Sequence, residues 1–311
     1  MPVFVGIDEN GLGPRLGPLV VTAAFARADE KGERVLGRAA RGGAASRLGD
    51  SKGLVKFGDS ALGEAWGRAI ATRIGESAET PEALVRWLSL DGEEELRRPC
   101  PEGHAAQCWS AAGESFEGDA LLGDVTRDLQ KLSARGVEVL GVRTCIVCTS
   151  RLNDASERGL SRFDVDLHTM ERLALAVRDE VGAELDVTCG KVGGYDRYSP
   201  AFGPLAGHLH TIVEEGRARS SYAFPRFGRI AFVRDADASH LLVSLASLVG
   251  KWVRDLLMNR VVGYHRAVDP SLPVASGYHD PVTRRFVDAS ALSRKSRNLP
   301  DDCFERRVAR K

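Results

Sequence analysis

Val3-Phe4-Val5-Gly6-Ile7-Asp8-Glu9-Asn10-Gly11-Leu12-Gly13-Pro14-Arg15-Leu16-Gly17-Pro18-Leu19-Val20-Val21-Thr22-Ala23-Ala24-Phe25-Ala26 holds two apolar runs, residues 3–8 and 18–26, on either side of a segment rich in glycine and proline. Two runs joined in this way predict an antiparallel strand pair with a wide glycine-rich loop. The first run ends on Asp8-Glu9, which puts two adjacent carboxylates at a strand end. Acids are common at such exposed places, so the pair says little by itself. The glycines that follow add to it, because backbone without side chains can approach a sugar-phosphate closely.

Working outward, Asp50-Ser51-Lys52 precedes a helical stretch over residues 59–74. Residues 77–136 are charged, punctuated by Gly and Pro and only weakly periodic, and read as an insertion. Residues 137–149 read as a strand. From residue 167 to 181, Met170, Leu173, Ala174, Val177 and Val181 follow the spacing of an amphipathic helix. Strands are expected over 184–189 and 229–233. After the second come Arg234-Asp235-Ala236-Asp237-Ala238-Ser239, with Ser239 as an expected N-cap for an apolar helix starting near His240. The organisation expected is an α/β domain over residues 1–290 and a basic C-terminal tail over 291–311. From residue 284 onward nine Lys/Arg stand against four Asp/Glu, which reads as a solvated end or as an arm touching a nucleic-acid backbone.

The 311 residues carry 43 Lys+Arg and 43 Asp+Glu, a net charge of zero. Binding to a polyanion through overall charge is therefore excluded, while a local basic patch is not. No basic, apolar leader begins the chain, and the apolar stretch 241–253 is broken by serines, Gly250 and Lys251. The expectation is a cytoplasmic protein that does not enter a membrane. Six cysteines without a leader are expected as free thiols. Cys145 and Cys148 fall on opposite faces of the strand expected there and so read as core residues rather than ligands of one ion. Cys100, His104 and Cys108 offer three soft ligands, but a structural zinc wants four, and no fourth is near in sequence.

Asp237, like Asp8 and Glu9, stands at an expected strand end. Carboxylates converging from several strand ends suit hard divalent cations such as Mg²⁺, and a pair of such ions serves phosphodiester cleavage. Gly6-Ile7-Asp8-Glu9-Asn10-Gly11-Leu12-Gly13-Pro14 with Gly17-Pro18-Leu19-Val20 resembles the opening signature of the type 2 ribonuclease H (ribonuclease HII) family. Asp50-Ser51-Lys52 is similar to a tripeptide of that family. So is Ala236-Asp237-Ala238-Ser239 with Leu245-Ala246-Ser247-Leu248-Val249-Gly250-Lys251 to the segment around its last metal-binding acid, and Ser276-Gly277-Tyr278 to its late Gly-Tyr segment. The resemblance runs in family order from Gly6 to Tyr278. It implies a ribonuclease H-like fold, a mixed sheet flanked by helices, and cleavage of RNA–DNA hybrids or of ribonucleotides embedded in duplex DNA with Mg²⁺ or Mn²⁺. It further implies that Asp8, Glu9 and Asp237 hold the metal, that Gly11, Leu12 and Gly13 read the ribose by their backbone, that Ser51 and Lys52 touch phosphate, and that Tyr278 stacks on the sugar.

Two departures stand out. Leu12 occupies the place of an arginine in the family motif, and Gly190 falls where the family ends a strand with its third acid. Asp186, on the same strand face, lies four residues earlier, about 13 Å at ~3.3 Å per residue. Asp196 and Asp235 are the other nearby acids. The alternative expectation is therefore a ribonuclease H-like module that has lost its chemistry and binds nucleic acid or a partner protein. A dinucleotide site is disfavoured, since Gly11-Leu12-Gly13 lacks the third glycine and does not precede a helix.

Overall fold

A computed structural model of the chain describes residues 1–100 and 107–307; His104 lies outside them. In chain order the strands and helices that matter are β1 (Val3–Asn10), β2 (Leu19–Ala28), α1 (Glu30–Leu36), α2 (Ser51–Leu54), α3 (Ala61–Arg73), α4 (Pro81–Leu88), α5 (Glu93–Arg97), α6 (Asp119–Ala134), β3 (Val137–Val147) and α7 (Thr149–Glu157). There follow α8 (Arg162–Val181), β4 (Leu185–Gly190), β5 (Thr211–Glu215), β6 (Arg219–Phe224), β7 (Gly228–Val233), α9 (Ala236–Ser239), α10 (Leu241–Arg266), α11 (Pro281–Ala289), α12 (Ala291–Ser296) and α13 (Asp301–Phe304).

Among the described residues seven strands form one sheet in the order β3-β2-β1-β4-β7-β6-β5. β1 and β2 pair antiparallel from Val3↔Arg27 to Asn10↔Val20, the hairpin expected of the two opening runs. β1, β4 and β7 run parallel, and the remaining pairings are antiparallel. The result is a mixed sheet flanked by helices, as the sequence predicts.

Side chains alternate along β1. Phe4 joins the layer built by α3, α6 and α10, while Val3, Val5 and Ile7 join the layer of α8. α8 buries Met170, Leu173, Ala174 and Val177 as their spacing predicts. It starts on a capping box of Ser161 and Asp164 and stops at Gly182 in the left-handed conformation. α4 and α6, both within residues 77–136, contribute Leu84, Leu88, Val125 and Leu129 to the same layer as α10.

Three local expectations are corrected. Ser239 does not cap α10; residues 236–239 form their own short turn, Ser239 donates to the Asp235 carbonyl (3.2 Å), and Ser244 donates back to the His240 carbonyl (3.2 Å). Cys148 is not in a strand, because β3 ends at Val147 and Cys148 becomes the N-cap residue of α7. Among the described residues, the segment from Leu299 to Arg306 is not a solvated end. Leu299 and Phe304 are buried with Leu16 and Met258 in a third core cluster, and Arg306 is buried as well.

Gly6 fixes how closely α10 lies on the sheet. A Cβ there would stand 2.3 Å from the backbone of Leu242 and Val243, a clash relieved only by moving the helix. Gly6→Ala is expected to cost about 2–3 kcal/mol, at the upper end of overpacking penalties, read as a lower urea midpoint. Gly13→Ala, with nothing within 4 Å of the added methyl, is expected to leave that midpoint unchanged.

Candidate active site

The carboxyl ends of the parallel strands β1 and β4 and the turn after β7 open into a cleft of about 330 Å³, the place where open α/β sheets offer a crevice. Asp8, Glu9, Gly11, Leu12, Gly13, Ser51, Lys52, Asp237 and Tyr278 all line it, together with Gly190, Asp235, Ser247 and Lys251. The nine residues that the resemblance assigns to metal and substrate therefore border one space. A larger cavity of about 720 Å³ lies elsewhere, against α7, α8 and β3, and holds none of these residues.

Strand alternation sends Asp8 toward α10 and Glu9 toward α8. The Ser247 hydroxyl of α10 lies beside Asp8 and lowers its carboxyl, and it meets the Ser51 hydroxyl at 2.8 Å. Lys251 donates to the carbonyls of Ser51 and Val55, both at 3.1 Å. This ammonium ties the Asp50-Ser51-Lys52 segment to α10, leaving the Lys52 side chain exposed on the cleft. Burial, reinforced by Glu9 and Asp237, pushes the Asp8 carboxyl well above its ordinary range, against Ser247 and Lys52, which lower it. Burial and then Asp166 push Glu9 up to about 8. Asp237 is raised by burial and by Asp50. Mutually repelling acids held out of water favour protons or cations among them.

Asp166 is the residue that sequence reading missed. It sits on the buried face of α8 at 0% exposure, and neither carboxylate oxygen has a hydrogen-bond partner. It lies behind the cleft wall, close enough to Asp8 and Glu9 for their charges to act on one another, and burial followed by Asp8 holds its own carboxyl far above the usual range. The available signal was an acid inside an apolar stripe, four residues before Met170 and next to Leu167. The other compensation candidates are placed differently. Asp186 pairs with Arg229, Asp196 pairs with Lys191 (2.8 Å), and Asp235 lines the cleft at a left-handed φ of 51°. At Gly190 a Cβ would stand 2.8 Å from Asp8 Oδ1 and 3.6 Å from Glu9 Oε2. A side chain at this position would enter the acid cluster directly, and its room is already taken by Asp8.

The glycine-rich loop is held from beneath by arginines. Arg306, 3% exposed, donates to the carbonyls of Gly11 (2.7 Å), Gly17 (2.8 Å) and Leu12 (3.3 Å). Arg162 reaches the carbonyls of Leu12, Gly13 and Pro14 at 3.3 to 3.4 Å. Arg254 lies under Gly11, whose φ of +92° and lack of Cβ let the guanidinium Nε come within 2.5 Å of where a Cβ would be. The same guanidinium stands 4.6 Å from the Tyr278 ring centroid, a cation–π contact. The cation missing at Leu12 is thus absent from the loop itself, while three arginines from elsewhere lie against its backbone. Burial and the neighbouring Arg254 and Arg162 lower Arg306 to about 9.

The donor set suits a hard cation in being all carboxylate, with Asp166 contributing two buried, unpartnered oxygens. Among the described residues, however, no three His, Cys, Asp or Glu side chains are set so as to hold an ion as they stand. The acids border the cleft rather than converge on one point, and ligation requires them to turn inward. The chemical fit is that of an acid cluster lacking compensating charge, with Lys52 the cation that acts on Asp8, Glu9 and Asp237 together.

No protein-family model matches the chain, and no curated protein matches it. Among solved structures it is similar to the RNase HII of Archaeoglobus fulgidus, solved as a complex with PCNA, at 15% identity over 99% of this chain and 97% of that one, with a TM-score of 0.43. It is also similar to ribonuclease H2 from Pyrococcus horikoshii OT3, at 14% identity over 97% and 92%, TM-score 0.40. Bst-RNase HIII in complex with Mn²⁺ matches at 14% identity over 94% and 71%, TM-score 0.40.

The raised acids set a direction for stability against pH. Below the ordinary carboxyl values both folded and unfolded chains keep these protons. Above them the unfolded chain releases its protons while the folded chain holds them, so stability falls as pH rises, through about 8 for Glu9. Without added divalent ions, urea unfolding between pH 5 and 9 is expected to show this fall. Asp166→Asn, which removes one of the raised carboxyls, should make that fall shallower. Mn²⁺ should restore stability at the alkaline end more than at pH 5.

Proposed function

We propose that the chain is a metal-dependent endonuclease that hydrolyses the RNA strand of RNA–DNA hybrids or ribonucleotides embedded in duplex DNA. The observation that carries this reading is the sharing of one cleft by Asp8, Glu9 and Asp237 with a glycine-rich loop whose backbone is pinned from behind. Asp8, Glu9 and Asp237 would hold Mg²⁺ or Mn²⁺, with Asp166 behind them adding negative charge to the cluster. Bound there, such ions activate a water and stabilise the leaving oxygen of a phosphodiester.

The chain's own groups supply position. Ser247 stands beside the Asp8 carboxylate, and the contact from Ser51 orients the Ser247 hydroxyl. Lys52 offers an ammonium to phosphate at the cleft mouth, where a phosphate contact sets register without reading sequence. Arg306 and Arg162 occupy carbonyls of the loop, which leaves the Gly11–Gly13 backbone turned to a ribose. Tyr278 is 45% exposed with Arg254 against its ring, a flat surface suited to stacking on a sugar. Recognition would then rest on the 2′-hydroxyl and duplex shape.

A second reading, a module that binds hybrids without cutting them, is favoured by one observation, Gly190 at the place where a further carboxylate would enter the cluster. Cleavage of a uniform RNA–DNA hybrid and of duplex DNA with one embedded ribonucleotide, each with Mg²⁺ and with Mn²⁺, separates the two. Cleavage is expected, with Mn²⁺ the better ion, and Asp8→Asn should reduce it by ~10³-fold or more, as loss of several kcal/mol of charge stabilisation implies. A folded protein that binds hybrid but cuts neither substrate with either ion would establish the second reading.

Arg306→Met should keep the chemical step and loosen the loop. The concentration of hybrid needed for half-maximal binding is expected to rise about tenfold, equivalent to ~1.4 kcal/mol. An unchanged affinity would remove the loop from substrate reading.

A further inference from the structure

Four of the six cysteines line one small cavity. Cys100 after α5, Cys108 beyond it, Cys148 at the start of α7 and Cys303 in α13 line a cavity of about 20 Å³, room for about one water-sized sphere. The remaining two behave otherwise, since Cys145 and Cys189 are buried in the apolar layer beneath the sheet. Sequence spacing gave Cys100 and Cys108 no fourth ligand, and the fold brings two thiols to them from distant stretches of the chain.

We propose that Cys100, Cys108, Cys148 and Cys303 form a structural zinc site of four thiolates, separate from the acid cleft. Four sulfur ligands with no open position are the composition of a closed, non-catalytic zinc centre. As they stand, no three of these side chains are set to hold an ion. Ligation takes rotation of each cysteine about its Cα–Cβ bond to another staggered position.

Some of the neighbouring groups favour charged sulfur. The backbone N–H groups of Ser150 and Arg151, in the first turn of α7, lie near Cys148 and lower its thiol. The Trp109 indole N–H, which can only donate, faces Cys100. The Ser150 hydroxyl reaches Cys303. Donors of this kind orient and stabilise metal-bound ligands. Against them, burial raises all four thiols, with Cys303 reaching about 11, and Cys108 is raised further by each of the other three. Thiolates so placed repel one another unless a cation joins them. Zinc binding would release four protons and leave two net negative charges, beside the buried Arg260, whose charge already lowers Cys108.

The site would fasten the C-terminal segment. Gln107 donates to the Cys303 carbonyl at 2.6 Å, and Asn153 of α7 donates to the carbonyls of Asp302 (3.0 Å) and Glu305 (2.9 Å). Three residues after Cys303 stands Arg306, under the glycine-rich loop. A zinc at this point would fix the strap on which that arginine is mounted.

The test is metal content of the full chain, purified from zinc-containing medium without chelator, together with the absorption spectrum after replacement by Co²⁺. One zinc per chain and the intense visible bands of tetrahedral cobalt with thiolate-to-cobalt charge transfer are expected. Asp8→Asn should retain both, and Cys108→Ser and Cys148→Ser should lose both. Where a cysteine variant fails to fold, the wild-type zinc content and cobalt spectrum decide alone. Absence of zinc and of any cobalt–thiolate band in the wild-type chain, or a disulfide among these four residues found by mass spectrometry, would overturn the proposal.

Discussion

The closeness of α10 to β1 is the constraint on which the site depends. Gly6 lets the helix backbone rest against the strand, and two residues later the same strand face carries Asp8. With α10 at that distance Ser247 lies beside the Asp8 carboxylate, and Lys251 reaches back to the carbonyls of the α2 segment. A helix held farther out would lose both contacts. It would also move Asp237, which the turn between β7 and α10 delivers to the cleft. Packing and chemistry therefore share one position in the sequence.

The acid cluster is built against its own electrostatics. Asp8 and Glu9, partly buried at the cleft, lie within reach of one another and of the fully buried Asp166, and burial and mutual repulsion hold their carboxyls above the usual range. Such a cluster destabilises the fold unless protons or cations occupy it. Large α10 and α8 cores on the two faces of the sheet provide the apolar burial that tolerates this cost. The glycine-rich loop has the opposite arrangement. Its carbonyls are saturated by Arg306 and Arg162, so positive charge gathers beneath the loop while negative charge gathers beside it.

The parts of this molecule that are legible in its sequence are those determined locally. The β1–β2 hairpin follows from two apolar runs around a glycine-rich turn, and α8 follows from the spacing of Met170, Leu173, Ala174 and Val177. Asp8, Glu9 and Asp237 stand out because they end or follow strands. What escapes is set by contacts between distant residues. Asp166 looks like any helical acid until the face it occupies is known. Arg306 looks like one more charge in a basic tail until Phe304 is buried and turns the chain inward. Cys148 reads as part of a strand because β3 stops only one residue earlier, and that single residue redirects its sulfur from the sheet to Cys108 and Cys303. The family resemblance locates the missing carboxylate at Gly190, but says nothing of the acid on α8 behind it.

The arginine beneath the glycine-rich loop gives the chain a temporal asymmetry. Residues 11–17 leave the ribosome well ahead of the guanidinium that occupies their carbonyls, which stands 289 residues after Gly17 and 295 after Gly11. Domains generally fold as synthesis proceeds from the N-terminus, and the sheet order allows β1 and β2 to pair early. The loop between them stays without its cation until Arg306 arrives and is buried. A growing chain thus carries its acidic strand end long before it carries a finished surface beside it, and an arginine made late completes a loop made early.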